Sequence, residues 1–364
     1  MLTPIEMRHT LHQNPELLFH EFETTNILKR NLEELDGLVI HRPMETGLVI
    51  EYTVNGGDYL LFRADIDALP IKEETGVEFS SKNNNMHACG HDVHASILYG
   101  FIRHVAQIKP QRNMVFLFQP GEEGGGGARK VIESGILESF DIKKAFALHV
   151  TDEYPLGTVA STSGVLFASA YELDISIHGK SAHVAFPENG IHSFDAFRMF
   201  LDEIQQELRH SDEKIIFGYG KVISGTARNI IPSVTRAECT IRALNSRKNE
   251  QFFDKIVSKL EYVKKKTGIE YSIENGSLYK EVIVDEELFR KLSEKLSKNH
   301  KFVDCGYKMT GEDFGFFSQL YPSFMFWLGT LRDNKYGLHT PMFLPDDSVI
   351  KTGIDILTDI LQEV

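Results

Sequence analysis

Residues 87–94, HACGHDVH, place three histidines, a cysteine and an aspartate in eight positions. Imidazole and thiolate are good metal ligands, but a structural zinc site collects several cysteines, and Cys89 stands alone here. Taken by itself, the octad suits a surface cluster as well as a metal site. The company it keeps decides the matter. QPGEEGGGG sets Glu122 beside Glu123, FALHV sets His149 directly after an apolar run, and GLHTP sets His339 in a turn closed by Pro341. Each falls where an α/β fold gathers its pocket loops, beyond the ends of strands.

The adjacency of two acids has a chemical reason. A hydrolytic metal site needs one carboxylate to hold metal and a second, off the metal, to accept a proton from water. Cys89, His91, Glu123, His149 and His339 form a mixed sulfur, nitrogen and oxygen set. That is too many ligands for one tetrahedral zinc and suits two ions about 3.5–4 Å apart. The donor mix accepts Zn, Mn or Co. Cys89 and His91, two positions apart, are expected to face one way from an extended loop, leaving His87, Asp92 and His94 to support them or to start the next helix. RADIDALP adds Asp65 and Asp67 in a loop closed by Pro70. A carboxylate there either orients a ligand histidine through its second ring N–H or satisfies local backbone N–H groups.

The elements that must hold these residues alternate. Thr3 and Pro4 begin a helix that Asn14-Pro15 interrupts, and a second helix is expected from about Glu21 to Leu35. Apolar strand runs follow at GLVIEYT, YLLFRADIDALP, MVFLFQP and AFALHV, the last ending at His149, with helical patterns at ASILYGFIRHVAQI and RKVIESGIL between them. This order predicts an α/β catalytic domain with a mixed sheet flanked by helices. From about residue 166 to 276 the texture changes to strand-helix-strand-strand-helix-strand, the order of a ferredoxin-like α+β domain. Long helices and apolar strands then return. The expected division is a discontinuous domain of residues 1–165 and 277–364 with residues 166–276 inserted.

A chain of 364 residues is long enough for two such cores, and 42% hydrophobic with 25% charged residues is the composition of a soluble globular protein. A net charge of -13 argues against nucleic acid or an anionic membrane as partner. Three widely spaced cysteines make no disulfide framework, and the start of the chain carries no apolar run of signal-peptide length. A reducing, cytoplasmic location is the expectation.

RADIDALP, HACGHDVH, QPGEEGGGGA, LHV, GKSAHVAFP, TARNIIP, TGEDFGFF and GLHTP occur in the order seen in the aminoacylase/carboxypeptidase family of dinuclear metallo-amidohydrolases. The chain resembles the bacterial amidohydrolase branch of that family, in which a cysteine enters the metal site. The stretches GTVASTSGVLFASAYEL and MTGEDFGFFSQLYPSFMFWLG are closest to its N-acetyldiaminopimelate deacetylases. The resemblance implies two divalent ions (Zn, Mn, Co or Ni) held by Cys89, His91, Glu123, His149 and His339, with Glu122 as general base. Asp67 takes the place of the supporting acid, and Asp65 falls where other branches place a histidine ligand. His183 in GKSAHVAFP matches the histidine of the inserted lid domain that polarises the scissile carbonyl or holds the substrate, in cis or across a dimer. Arg228 and Asn229 in TARNIIP match the segment that binds the substrate carboxylate. The implied activity is hydrolysis of a small N-acyl amino acid, N-acetyl-LL-diaminopimelate first among them, with other N-acyl amino acids as the alternative and homodimerisation through the inserted domain. Glu312 and Asp313 are expected to line the pocket floor or to cap the following helix, and Gly121, where many relatives carry Ala, is expected only to loosen its loop.

Overall fold

The structure is a computed structural model that describes all 364 residues, Met1–Val364. It divides into two compact units. The larger comprises Met1–Leu166, Val282–Tyr307 and Asp313–Val364; the smaller comprises Phe167–Glu281 with the short segment Lys308–Glu312.

The larger unit opens with α1 (Pro4–Gln13), whose start is fixed by a reciprocal capping box between Thr3 and Glu6. Helix α2 (Phe22–Leu32) and the antiparallel pair β1 (Leu38–His41) and β2 (Leu48–Tyr52) follow. Then come β3 (Tyr59–Asp65), α3 (His91–Ile108), β4 (Asn113–Gln119), α4 (Gly127–Glu133), β5 (Ile142–Pro155), β6 (Val159–Ser161) and β7 (Gly164–Phe167). Strands β3 and β4 are almost wholly buried, which explains their unbroken apolar runs: a strand covered on both faces has no polar side to alternate. Phe62 of β3 lies 5.9 Å from Phe116 and 5.1 Å from Phe146, and Phe101 of α3 meets it edge-on at 4.9 Å. Each fully buried aromatic of this kind contributes about 1.5–3 kcal/mol of transfer free energy.

The smaller unit holds β8 (Ser169–His178), α5 (Ser193–Arg209), β9 (Ile215–Ser224), β10 (Val234–Ala243), α6 (Ser246–Thr267) and β11 (Glu270–Tyr279). Its sheet runs β11-β8-β10-β9 with antiparallel neighbours, the ferredoxin-like arrangement. Leu173, Ile175 and Ile177 alternate inward from β8 onto Phe197 and Phe200 of α5 and Phe252 and Ile256 of α6. Asn245 caps α6, and Gly268 ends it in the left-handed conformation.

The chain then resumes the larger unit with β12 (Val282–Val284), α7 (Glu286–Leu296), β13 (Phe302–Asp304), α8 (Gly315–Ser318), β14 (Ser323–Leu331) and α9 (Ser348–Glu363). The eight-stranded sheet has the order β1-β2-β4-β3-β5-β14-β6-β13, so β14 enters between two strands made before the insertion. It is mixed: β3 is parallel to β4 and β5, and β14 is parallel to β5 but antiparallel to β6.

Two expectations change. Strand β5 does not stop at His149 but continues to Pro155, because β14 keeps pairing with it there, Trp327 opposite His149. Strand β3 ends at Asp65, so His149 still emerges where one neighbour has run out. The second helix is shorter than expected, starting at Phe22 and ending at Leu32.

Candidate metal centre

Two donor groups converge in the larger unit, and Cys89 belongs to both. Its Sγ lies with His91 and His149 in one group and with Glu123 and His339 in the other, all donor atoms within 4.8 Å of one another in each. His149 Nε2 is 3.3 Å from Sγ and His339 Nε2 is 3.2 Å from it. Glu122 joins a third group with His91 and Glu123, placing the second acid beside the ligands.

Local backbone explains how neighbours in sequence share the site. Cys89 and His91 do not face one way from an extended loop. Cys89 lies in a turn and His91 is the first residue of α3, with Gly90 between them at φ +88°. A Cβ on Gly90 would sit 2.3 Å from Val150 Cγ2, so both the backbone angle and the close approach require glycine.

Two of the candidate ligand histidines, His91 and His149, are aimed by their other nitrogen. His91 Nδ1 donates to Asp67, 2.9 Å to the carbonyl oxygen and 3.2 Å to Oδ1, turning Nε2 toward the donor cluster. The second carboxylate oxygen of Asp67 accepts from the Glu123 backbone N–H at 2.9 Å, so one aspartate sets two ligands. His149 Nδ1 donates to Val150 O at 2.8 Å, leaving Nε2 for the site. Asp65 stands one layer further back, wholly buried, with Oδ2 on Arg63 at 2.8 Å and Oδ1 on His94 Nδ1 at 2.6 Å. His94 Nε2 accepts from the Val150 backbone N–H, so the ring is neutral with its proton on Nδ1. Asp65 thus holds His94 and, through it, the strand beside His149.

The electrostatics suit a cation. Burial, together with Glu123, Glu122 and Asp65, pushes the Cys89 thiol well up, whereas a divalent ion in the same place would favour thiolate. Burial holds His149 well below its usual range, in the neutral form that binds metal. Although burial opposes it, His339 beside it and the charge of His91 keep Glu123 ionised. His91 Nε2 is buried without a hydrogen bond, and Glu123 Oε1, 3.1 Å from His339 Nε2, makes none either. Buried polar atoms are rarely left so, and two such atoms at the centre of a donor cluster fit a shared ion. Cys89, His91, Glu123, His149 and His339 therefore fit two divalent metals.

The rest of the octad faces elsewhere. Asp92 accepts from Arg8 Nε at 3.2 Å and lies 2.9 Å from His12 Nδ1, tying the start of α3 to α1. His87 is buried with neither nitrogen bonded, and burial pushes it down to about 3. Asp313 is not a cap for α8, which has no side-chain cap; it accepts instead from Arg63, Gln119 and the Ala128 N–H in the first turn of α4. Glu312 is buried as well. Sequence reasoning passed over Arg63, although an arginine inside the apolar run YLLFRAD signals buried partners.

In the smaller unit, His183, Arg228 and Asn229 are exposed. Asn229 O accepts from the Val184 N–H at 3.1 Å and His183 bridges to Ile230, bringing the two segments together. His183 Nδ1 accepts from the Ala185 N–H at 3.1 Å, so the neutral ring presents an Nε2–H donor. Arg228 lines an open cavity of about 650 Å³ with His192, Ser224 and Ile230.

A sequence profile of peptidase family M20/M25/M40 matches residues 61–363. The chain is 37% identical over 365 aligned positions to the N-acetyldiaminopimelate deacetylase of Exiguobacterium sibiricum, covering 99% of this chain and 98% of that one. It is 35% identical to the enzyme of that name from Bacillus subtilis, covering 97% and 96%. Among solved structures it is similar to an aminohydrolase from methicillin-resistant Staphylococcus aureus, with TM-score 0.88, 25% identity and 99% and 95% coverage. A dinuclear metal-binding M20 peptidase from Bacillus subtilis superposes with TM-score 0.83 at 28% identity, covering 99% and 98%.

Proposed function

This chain belongs to peptidase family M20/M25/M40, and from that premise we propose that it is a metal-dependent deacetylase acting on N-acetyldiaminopimelate. The observation that carries the chemistry is the placement of Cys89 in two donor groups with Glu122 beside them. The substrate is supported by the full-length likeness to deacetylases of that name. The products are acetate and diaminopimelate, a precursor of lysine.

Cys89, His91, Glu123, His149 and His339 would hold two divalent ions, which would supply polarisation of the amide carbonyl and a lowered pKa for water at neutral pH. Glu122 accepts the proton that water loses as its oxygen attacks the carbonyl carbon, and returns it to the amine nitrogen as the C–N bond breaks. Glu123 lies next to it in sequence but is committed to metal, its backbone held by Asp67. Asp67 and Asp65 orient the histidines, directly for His91 and through His94 for the His149 strand. The Nε2–H of His183 is suited to the carbonyl oxygen, and Arg228 with Asn229 to the substrate carboxylate.

The smaller unit also supports self-association. Strand β9 is the edge of its sheet and exposes Ile216, Tyr219, Val222 and Ile223 from its two faces, apolar side chains that a second copy would cover. A reducing, cytosolic setting suits three free cysteines.

The test is a panel of N-acetyl-LL-diaminopimelate, N-acetylcysteine and hippurate, assayed with Zn, Mn, Co and Ni. Preferred cleavage of the first compound is expected; cleavage of only the others removes the substrate assignment. Glu122→Gln is expected to lower kcat by at least about a hundredfold with metal content unchanged, and full turnover by this variant would remove the mechanism.

A further inference from the structure

The loop that carries Glu122 and Glu123 is clasped from below by a turn near the start of the chain. Phe19 adopts φ +56°, a left-handed conformation that an aromatic residue rarely takes. Its ring fills the space that side chains at two loop glycines would occupy. A Cβ on Gly121 would lie 2.5 Å from Phe19 Cζ, and one on Gly125 would lie 2.6 Å from Cε2. Gly121 is itself at φ +66°, so it is a fitted position and not a loosened one. The ammonium of Lys130 sits 3.6 Å from the ring centroid, closing the other side.

Two residues on, the buried carboxylate of Glu21 holds both partners of this contact. Its Oε1 accepts from the Phe19 N–H and from the Gly121 N–H, each at 2.9 Å. The Gly127 N–H donates to Gly121 O at 3.0 Å and closes the loop on itself. Glu122 and Glu123 therefore leave a backbone fixed at Gly121 by Glu21, at Gly121 and Gly125 by the Phe19 ring, and at Glu123 by Asp67.

We propose that Phe19 and Glu21 are positioning residues for the Glu122–Glu123 pair, holding the loop so that one acid meets metal while the other stays off it. This rests on the roles given above to those two acids. Neither Phe19 nor Glu21 is a metal ligand or touches substrate; they act through the loop. Displacing a reacting group by about 1 Å costs about a hundredfold in rate, so a modest shift of this loop is measurable.

The experiment compares wild type, Phe19→Ala, Phe19→Leu and Lys130→Met in three measurements: Co²⁺ affinity by absorption titration, kcat and KM separately, and urea unfolding of metal-free protein. Phe19→Ala is expected to weaken Co²⁺ binding and to lower kcat, each by about tenfold to a hundredfold, with KM within about twofold. Phe19→Leu should recover most of both. Lys130→Met, an exposed change, should produce a smaller loss of about twofold to fivefold without moving the urea midpoint. A folded Phe19→Ala protein with wild-type Co²⁺ affinity and kcat overturns the proposal. If that variant does not fold, wild-type Co²⁺ affinity and kcat for Lys130→Met overturn it. Should the wild type cleave no N-acetyl amide while Phe19→Ala still loosens Co²⁺, the positioning role stands and the assigned activity falls.

Discussion

Replacing Asp313 should cost several kcal/mol of stability, about 5 in all for the alanine variant. Its carboxylate accepts from Arg63 Nη2 at 2.8 Å, from Gln119 Nε2 at 2.9 Å to each oxygen, and from the Ala128 N–H at 2.8 Å. All of this lies in the interior, with Asp313 at 0% and Arg63 at 3% exposure. Arg63 also donates to Asp65 at 2.8 Å and to Gln119 Oε1 at 2.9 Å, so it balances two carboxylates. Removing one partner of a buried ion pair costs about 3–5 kcal/mol, because the other charge stays desolvated. The stranded Ala128 N–H adds about 1–3 kcal/mol, and the two overlap because they share a site. Asp313→Ala should therefore lose about 5 kcal/mol. Asp313→Asn, which keeps the shape and one accepting oxygen, should lose about 2–3 kcal/mol. The assay is urea unfolding of metal-free protein, since bound metal adds its own stabilisation. If both variants unfold within about 0.5 kcal/mol of wild type, the usual scatter of surface changes, the network does not hold the fold as described.

Other outcomes follow from the same geometry. Gly90→Ala should abolish binding at the shared thiolate, because its Cβ would overlap Val150 at a backbone angle of φ +88°; Co²⁺ titration reads this, and wild-type affinity would contradict it. Chelation should lower the unfolding midpoint of the larger unit, which contains all five proposed ligands, and readdition of metal at a hundred times its dissociation constant should restore about 2.7 kcal/mol. His12 gives a pH signature. Burial opposes its charge, but Asp92 and Glu73 raise it from 6.5 to about 9. The folded state thus binds the proton more tightly, so this stabilisation is complete below pH 6.5 and disappears as pH rises through about 9. The loss is about 3 kcal/mol at most, read as a falling urea midpoint that His12→Asn should flatten; parallel pH curves would refute it.

That these donors would come together was legible because each sits in a short stretch marked by Gly, Pro or a second chemical group: Cys89 before Gly90, Glu123 before four glycines, His339 before Pro341. The two-unit arrangement was legible from the change in strand texture near residue 165. What stayed hidden depends on contacts between distant segments. Nothing in TGEDFGFF says that Asp313 will meet Arg63 in β3 and the start of α4 instead of capping the helix that follows it. Nothing in LLFHEFE marks Phe19, since its conformation is set by glycines about a hundred residues away. His149 seemed to end a strand because apolar periodicity stops there, while the hydrogen-bonded partner that extends β5 comes from β14.

The position of β14 bears on how the protein is made. On the ribosome, β5 emerges with one edge open, and the strand that covers it, β14, is completed only after the whole smaller unit. At about 5–20 residues per second this wait is about 9–35 seconds. The smaller unit can close during it, while β6 and β13 have no neighbour linking them to the growing sheet. His339 comes later still, behind β14, so the second donor group around Cys89 is the last to be completed. A nascent or truncated chain that stops before β14 carries an exposed strand edge, a target for chaperones and proteases. It also lacks His339, one of the five residues proposed to hold metal, so such a chain is expected to be inactive.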